Sequence, residues 1–419
     1  MAGLQAMIGE SVQSLVIPGS CVDTYYAGVS NTEKQCFPSK VQNKFYVNFA
    51  STAGGSSSTF LFNPNQGVTD IVVELRIPAS FGSLGTVPAF SRGWGYRALK
   101  NISFRYANSA QYFVASHQHM VSVVESCEDS IKRDKMLELG GQALLVAGDY
   151  ADANLRTAYV YIKLPHNTPN SYKHLPYPSD LSVQPLQITI ELEDWSRLAS
   201  NGASIPSTSQ YEIAKMNFRQ VELNDSSDLL ARRENMTEKM YVYPLQSFHQ
   251  RQLEIPLANT GALQTVQLTG FRSGEVSHIV LMAVANADLA NGNWFNGVQL
   301  QNVTLTINGD VRYSTTEALS ALWDLVTRKT TSSVANTIVT AGTPNTSVAG
   351  NAFFTVIPMG QESSVDGNQY ELTHGYSVMN SVLQLQCQLP SNASGYTLFA
   401  YYVYRASLGF SNGQCDYIF

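Results

Sequence analysis

YTLFAYYVYR, from Tyr396 to Arg405, is the strongest β run in the chain. Aromatic residues dominate it, a composition that suits a pleated, partly buried surface. Phe399, Tyr401 and Tyr402 are most simply core and sheet-face residues. Working back from this run, Ser377 to Leu389, Phe353 to Pro358 and Gln301 to Ile307 also read as strands. Asn308-Gly309-Asp310 is a turn signature that makes Val303 to Tyr313 a candidate hairpin. Glu238 to Tyr243, Gln250 to Ile255, Gln264 to Phe271 and His278 to Val284 complete the strands of the second half. Thr316 to Thr327 (TEALSALWDLVT) reads as a helix, and the Ser/Thr/Ala/Gly-rich stretch from Thr330 to Gly350 as a long exposed loop. Such a segment is a candidate for contacting a neighbour or shaping the outer surface.

The first half has a similar order. Lys44 to Ala50 alternates in the strand period, and Gly54 to Ser58 reads as a flexible turn. Thr69 to Ile77 (TDIVVELRI) is a strand stopped by Pro78, and Gly93 to Tyr106 (GWGYRALKNISFRY) leads into another. From Gln111 to Leu139 the period becomes helical, with a break near Cys127 to Ser130 and an end at Gly140-Gly141. Strands return at Thr157 to Leu164, Leu186 to Leu192 and Tyr211 to Leu223, with a five-proline loop from Pro165 to Pro185. A short helix from Asp225 or Ser226 to Arg233 bridges the halves. Both halves thus run through strands, a helix and more strands, which fits two antiparallel sandwiches in tandem.

Composition agrees with an all-β chain. Of 419 residues, 22 are Tyr and 18 Phe, while charged residues make up only 14%. That balance favours broad sheets over solvated helices, and the length allows two sandwich-sized cores. A net charge of −6 and a pI near 5.7 give no general attraction to phosphate, and there is no basic arm. Direct nucleic-acid binding is not expected. The five cysteines, Cys21, Cys36, Cys127, Cys387 and Cys415, lack CxxC spacing. They suit reduced thiols in a cytosolic compartment better than a disulfide framework, with a Cys21 to Cys36 bridge left open. Sequons at Asn101, Asn224, Asn235, Asn302, Asn345 and Asn392 are numerous as expected by chance in an Asn- and Ser/Thr-rich chain. Neither a signal peptide nor a membrane-spanning run is read in the sequence.

Near the N-terminus, Leu4, Met7, Ile8, Val12, Leu15 and Val16 gather on one face at helical spacing, and Pro18-Gly19 stops the pattern. Two readings stand: an arm that lies on a membrane or a neighbouring subunit, or a helix packed on its own domain. With Glu10 and no Lys or Arg before Lys34, any membrane attraction would be apolar.

Catalytic, cofactor and metal sites are not expected. His117 and His119 form an HxH pair that His166 or His174 would have to complete, whereas helical metal pairs use i,i+4 spacing. Glu191, Glu193 and Asp194 beside Trp195 resemble the acid pairs of glycosidases; alternation puts Glu191 and Glu193 on one face, and a solvated strand end is the simpler reading. Gly93-Trp94-Gly95 lacks the spacing of a phosphate loop and precedes a strand. There is no GxSxG elbow. Arg232, Arg233 and Lys239 are the densest basic group, and a solvated helix face accounts for them.

The order of segments resembles the double jelly-roll major capsid proteins of nucleocytoplasmic large DNA viruses, virophages and tectivirus-like phages. Its carriers are Trp94 to Tyr106 before a helix pair, then Tyr159 to Leu164, the proline loop and Leu186 to Asp194 (LQITIELED), and Tyr211 to Leu223 before a charged helix and Lys239 to Tyr243. Gln301 to Tyr313 (QNVTLTINGDVRY), Phe353 to Met359 with Gly367 and Ser381 to Leu389 behind it, and Tyr401 to Gly409 (YYVYRASLG) follow. The chain is compact for the family, and its arm carries no family signature. The resemblance implies two tandem jelly-roll domains with short inserted helices; with the helical arm read from its spacing, the chain divides into an N-terminal arm at 1–36, a first jelly-roll at 37–224, a linker helix at 225–236 and a second jelly-roll at 237–419. It also implies a structural subunit of the virion capsid and no enzyme. Homotrimers with a pseudo-hexagonal outline would tile an icosahedral shell, usually over an internal membrane, assembled inside the infected host cell. The implied partners are the chain itself, neighbouring capsomers, penton and minor capsid proteins, and that membrane. A β-sandwich carbohydrate-binding or glycan-processing protein is the competing class.

Overall fold

The computed structural model describes residues 12–14, 38–41, 45–62, 66–106, 113–116, 130–162, 186–223, 240–257, 261–269, 275–290, 296–315, 331–339, 347–359, 362–363, 372–373, 376–378, 380–411 and 414–418. The strands of the first half are β1 (Val12–Ser14), β2 (Pro38–Val41), β3 (Phe45–Asn48), β4 (Ser57–Phe62), β5 (Gln66–Arg76), β6 (Leu99–Tyr106), β7 (Phe113–Ser116), β8 (Thr157–Ile162), β9 (Leu186–Leu192) and β10 (Ile213–Leu223). In the second half come β11 (Met240–Leu257), β12 (Leu263–Leu268), β13 (Glu275–Ala285), β14 (Gly297–Val298), β15 (Gln301–Ile307), β16 (Asp310–Ser314), β17 (Thr331–Val339) and β18 (Ser347–Pro358). Then follow β19 (Glu362–Ser363), β20 (Leu372–Thr373), β21 (Tyr376–Ser377), β22 (Leu383–Gln388), β23 (Tyr396–Ser411) and β24 (Gln414–Ile418). Helices are short and few: among the described residues they include Trp94–Ala98, Ser130–Leu139, Trp195–Leu198 and Asn286–Ala290.

Pairing reveals the duplication. In the first half, one sheet runs β3–β10–β5–β8, with β2 also on β10, and the other runs β4–β9–β6–β7. The second half repeats this connectivity strand for strand as β11–β23–β13–β18 and β12–β22–β15–β16. In each, the first main strand lies beside the last, and the second beside the next to last. That returning connection is the Greek-key closure of a jelly-roll sandwich. The chain is therefore all-β, with two jelly-roll sandwiches in tandem. Additions decorate the second: β17 forms a hairpin with β18, and β24 one with β23.

The alternating sequence of each strand explains the layers. In β9 every second residue is buried, so Leu186, Ile188, Ile190 and Leu192 face the first core. Leu383, Leu385 and Cys387 of β22 face the second core in the same way. Burial pushes the Cys387 thiol up to about 11, which suppresses the reactive thiolate. Cys387 is thus expected to resist a thiol-specific reagent in native protein and to react on denaturation, as mapped by mass spectrometry. Labelling in the native state at the rate of a free thiol would contradict its burial.

The hairpin expected at Val303 to Tyr313 is formed by β15 and β16, with positive φ at both Asn308 (53°) and Gly309 (90°). Positive φ at both central residues is the two-residue turn whose twist matches the strands.

Four expectations are corrected. Val12 lies on β1, which pairs in parallel with Met240 to Val242, so the arm is extended there rather than helical. The open edge of β11 supplies backbone partners that local helical spacing does not reveal. Leu4, Met7, Ile8, Leu15 and Val16 lie outside the described residues. Second, Phe113–Ser116 is a strand on β6 rather than part of a helix, and only Ser130–Leu139 of that stretch is helical among the described residues. Third, much of Thr330 to Gly350 is the β17–β18 hairpin rather than a loop; Ser and Thr accept strand geometry once a partner strand supplies the ladder. Fourth, the end of the expected Gly54 to Ser58 turn begins a strand, β4, whose Ser58, Phe60 and Phe62 are buried. The helices expected at Asp225 to Arg233 and Thr316 to Thr327, and the loop from Pro165 to Pro185, lie outside the described residues.

Candidate functional site

The junction of the sandwiches is a buried feature with functional consequences. Strand alternation splits β13 and β23 between two apolar clusters. Ile279, Leu281, Ala283, Leu398, Ala400 and Tyr402 line the second core. Val280, Met282, Val284, Phe399 and Tyr401 point the other way and join the cluster of the first sandwich. This sheet is therefore covered on both faces, which is why its sequence is almost continuously apolar instead of alternating. The aromatic stripe read in the sequence serves two cores, with Tyr401 and Tyr402 on opposite sides.

At the end of β9 the acidic triplet is taken apart. Glu191 receives hydrogen bonds from Lys100 Nζ at 2.6 Å and Asn101 Nδ2 at 2.8 Å. Burial alone would raise its pKa, but those two donors hold it below the usual value. The same contact raises Lys100. Glu193, by contrast, is only 2% exposed, and Asp194 N donates to its Oε1 at 3.1 Å. Burial pushes its carboxyl up, against the pull of that backbone donor and the charges of Arg197 and Lys100. The solvated strand end expected from sequence is thus corrected: Glu191 is half-buried in an ion pair and Glu193 is interior. One carboxylate is paired outside and the other enclosed, so the two do not face a common cleft as a glycosidase pair would.

Arg97 shares the interior with Glu193. Its Nη2 donates to the carbonyls of Leu198 at 3.3 Å and Arg197 at 3.4 Å. Burial lowers its pKa to about 9, and the negative charge of Glu193 opposes that fall. This cluster locks the Trp94–Ala98 and Trp195–Leu198 helices to each other. Gly93-Trp94-Gly95 is part of the same packing. Gly93 N and Gly95 N donate to Gly141 O at 2.7 Å and Gly140 O at 2.8 Å. A Cβ at Gly95 would sit 2.6 Å from Gly140 O, so the glycine permits a close backbone approach. The motif opens a five-residue helix rather than leading straight into a strand.

His117, His119, His166, His174, Arg232, Arg233 and Lys239 are outside the described residues. Among the described residues there is no group of three metal-ligating side chains and no helix long and apolar enough to cross a membrane.

The outward sheet faces remain. Among the described side chains of β3–β10–β5–β8, the exposed aromatic ones are Tyr46 (64%), Tyr159 (43%) and Tyr161 (39%). They flank a Lys215–Glu74 ion pair of 2.9 Å, and Lys215 also lies over the Tyr46 ring at 5.4 Å. On the other outward sheet, β12–β22–β15–β16, charge is confined to the edge strand β16, which carries Asp310 and Arg312. LQTVQL, LQLQCQ and QNVTLTI, the sequences of β12, β22 and β15, contain no charged residue. This absence was visible in the sequence, but only pairing brings the three strands side by side.

No protein-family model and no curated protein matches the sequence. Solved structures do match in fold. A structure of PBCV-1 VP54, fitted into a cryo-EM reconstruction of the virophage Sputnik, superposes with a TM-score of 0.58 at 11% identity, over 91% of this chain and 98% of that one. A quasi-atomic model of the PBCV-1 virus capsid gives 0.56 at 11% identity, over 91% and 97%. The cryo-EM structure of the Sputnik virophage gives 0.51 at 12% identity, over 90% and 88%. At such identities the likeness is one of architecture, and it spans both sandwiches: the fold of this chain is the double jelly-roll found in these capsid proteins.

Proposed function

We propose that this chain is the major capsid protein of a double-stranded DNA virus, an architectural subunit rather than an enzyme. The observation that carries the reading is the strand-for-strand repetition of one sandwich, joined to its copy by a shared apolar cluster. Two near-equivalent sandwiches fixed in one chain let a threefold assembly present six similar edges to its neighbours. In this reading the chain forms pseudo-hexagonal homotrimers that tile an icosahedral shell over an internal membrane. Its partners are neighbouring capsomers with penton and minor capsid proteins, and its place is the virion capsid built inside the host cell. The division into residues 37–224 and 237–419 gives each chain two of the six sandwiches in that outline.

Light scattering tests the assembly: purified protein is expected at three times the 45.9 kDa chain mass, with pseudo-hexagonal particles under the electron microscope. A stable monomer that binds glycans would favour the sandwich lectin or glycosidase class instead. Removal of residues 1–20 gives a second test. The described part of that segment, Val12–Ser14, only adds an edge strand to β11, so both sandwiches are expected to fold without it while particle yield or membrane association falls. Undiminished yield would assign the segment to its own fold rather than to assembly.

A further inference from the structure

The β17–β18 hairpin runs on past the sheet that anchors it. β18 pairs with β13 only from Thr355 to Pro358, whereas its ladder with β17 extends from Thr355 opposite Thr331 to Ser347 opposite Val339. Ser347 to Phe354 therefore lie beyond the β13 pairing, roughly 26 Å of strand. Among the described residues β17 pairs with β18 alone and ends the sheet, so one side of its nine-residue backbone has no ladder partner.

An open edge is a template for another strand, and chains that avoid such pairing place Lys, Pro or a bulge on it. TSSVANTIV, the sequence of β17, has no charged residue and no proline, and its register with β18 runs without a shift. Thr331, Val334, Thr337, Ile338 and Val339 are β-branched, which favours strand pairing. A two-stranded ribbon on its own is marginal in water, and further strands stabilise it. The far edge of β18 is less suited to this, because it includes Gly350 and β14 lies beside that strand.

We propose that β17 pairs antiparallel with β17 of a second copy of this chain, so that two hairpins form one four-stranded sheet. The strand is compatible with itself in that arrangement. With all nine residues overlapped, Ala335 faces Ala335 across a twofold axis, Val334 faces Asn336, Ser333 faces Thr337 and Ser332 faces Ile338. Arg328 and Lys329, which precede the strand in sequence, go to opposite ends of an antiparallel pair; a parallel pair would set them against their own copies, which is unfavourable. Three copies about a threefold axis cannot all satisfy a twofold contact. In the capsid reading the contact therefore joins one trimer to the next, and only this placement rests on that reading.

The test uses full-length protein carrying Ala335→Cys. Directly opposite residues of an antiparallel pair have Cα atoms about 4.5–5.5 Å apart, inside the range that a disulfide spans. Mild oxidation is expected to give a covalent dimer on a non-reducing gel, with mass spectrometry locating the bond between two copies of position 335. Ala335→Lys and Ala335→Glu form the second arm. Each sets like charges opposite one another and is expected to weaken association of copies by about tenfold in analytical ultracentrifugation, whereas an equimolar mixture restores it through unlike pairs. Circular dichroism and melting verify the fold of each variant, and Ala335→Ser is expected to associate like wild type. A thiol at position 335 that stays unlinked, or links to another position or another protein, overturns the pairing, as does an Ala335→Lys protein that associates like wild type. Trimers without the cross-link leave the capsid reading standing, and a cross-link in a protein that forms no trimer leaves the pairing standing without that reading.

Discussion

Replacing Tyr401 by Ala is expected to lower stability by about 3–5 kcal/mol, the usual result of truncating a large buried aromatic side chain. Tyr401 is fully buried and belongs to the cluster that joins the sandwiches. Its neighbour Tyr402 is equally buried but faces the second core, so Tyr402→Ala is the matched comparison. Both substitutions create a cavity, and both are expected to lower the melting temperature by about 10 °C. Their effects on cooperativity should differ. Tyr401→Ala loosens the attachment of one sandwich to the other, so calorimetry is expected to resolve two transitions where wild type shows closer coupling. Tyr402→Ala weakens the second sandwich from inside and leaves the junction packed. A Tyr401→Ala protein with an unshifted transition would mean that the junction contributes little.

Arg97→Met is the second large effect. It removes hydrogen bonds to the Arg197 and Leu198 carbonyls and the positive charge that shares an interior with Glu193. A buried carboxylate that loses a cationic neighbour is costly, and a loss of about 3 kcal/mol at pH 7 is expected. The loss should depend on pH. Burial already raises the folded-state pKa of Glu193 above its unfolded value, and removal of Arg97 raises it further. A raised carboxyl favours folding while it is protonated in both states, below the unfolded value of about 4.5. The destabilisation grows as pH rises through the folded value, where the unfolded chain has released its proton and the folded one has not. The gap between variant and wild type, measured by urea denaturation, should therefore be wide at pH 7 and narrow near pH 4. A gap independent of pH would assign the loss to the carbonyl hydrogen bonds alone.

Much of the fold was legible in the sequence because strand alternation is a local property. Leu186 to Leu192 and Thr157 to Leu164 announced their strands through the period of two, and Asn308-Gly309 announced its turn through positive φ. Phe113–Ser116 and Thr331–Val339 did not, because each is a strand through its partner, β6 or β18, rather than through its own pattern. Glu193 was misread for a related reason: one residue past β9, alternation no longer governs exposure, and the helices around Arg97 enclose it.

The sequence by itself determined that the chain is all-β and organised as two similar passes, since residue types and their period depend on neighbours along the chain. It also contained the charge-free stretches of β12, β15 and β22. Only the tertiary structure decided that these stretches lie side by side, that one face of β13 and β23 belongs to the first sandwich's cluster, and that Tyr46, Tyr159 and Tyr161 stand on a face left open. Those outcomes depend on pairings between strands up to about half a chain apart, which bring faces together that no local pattern can match in advance.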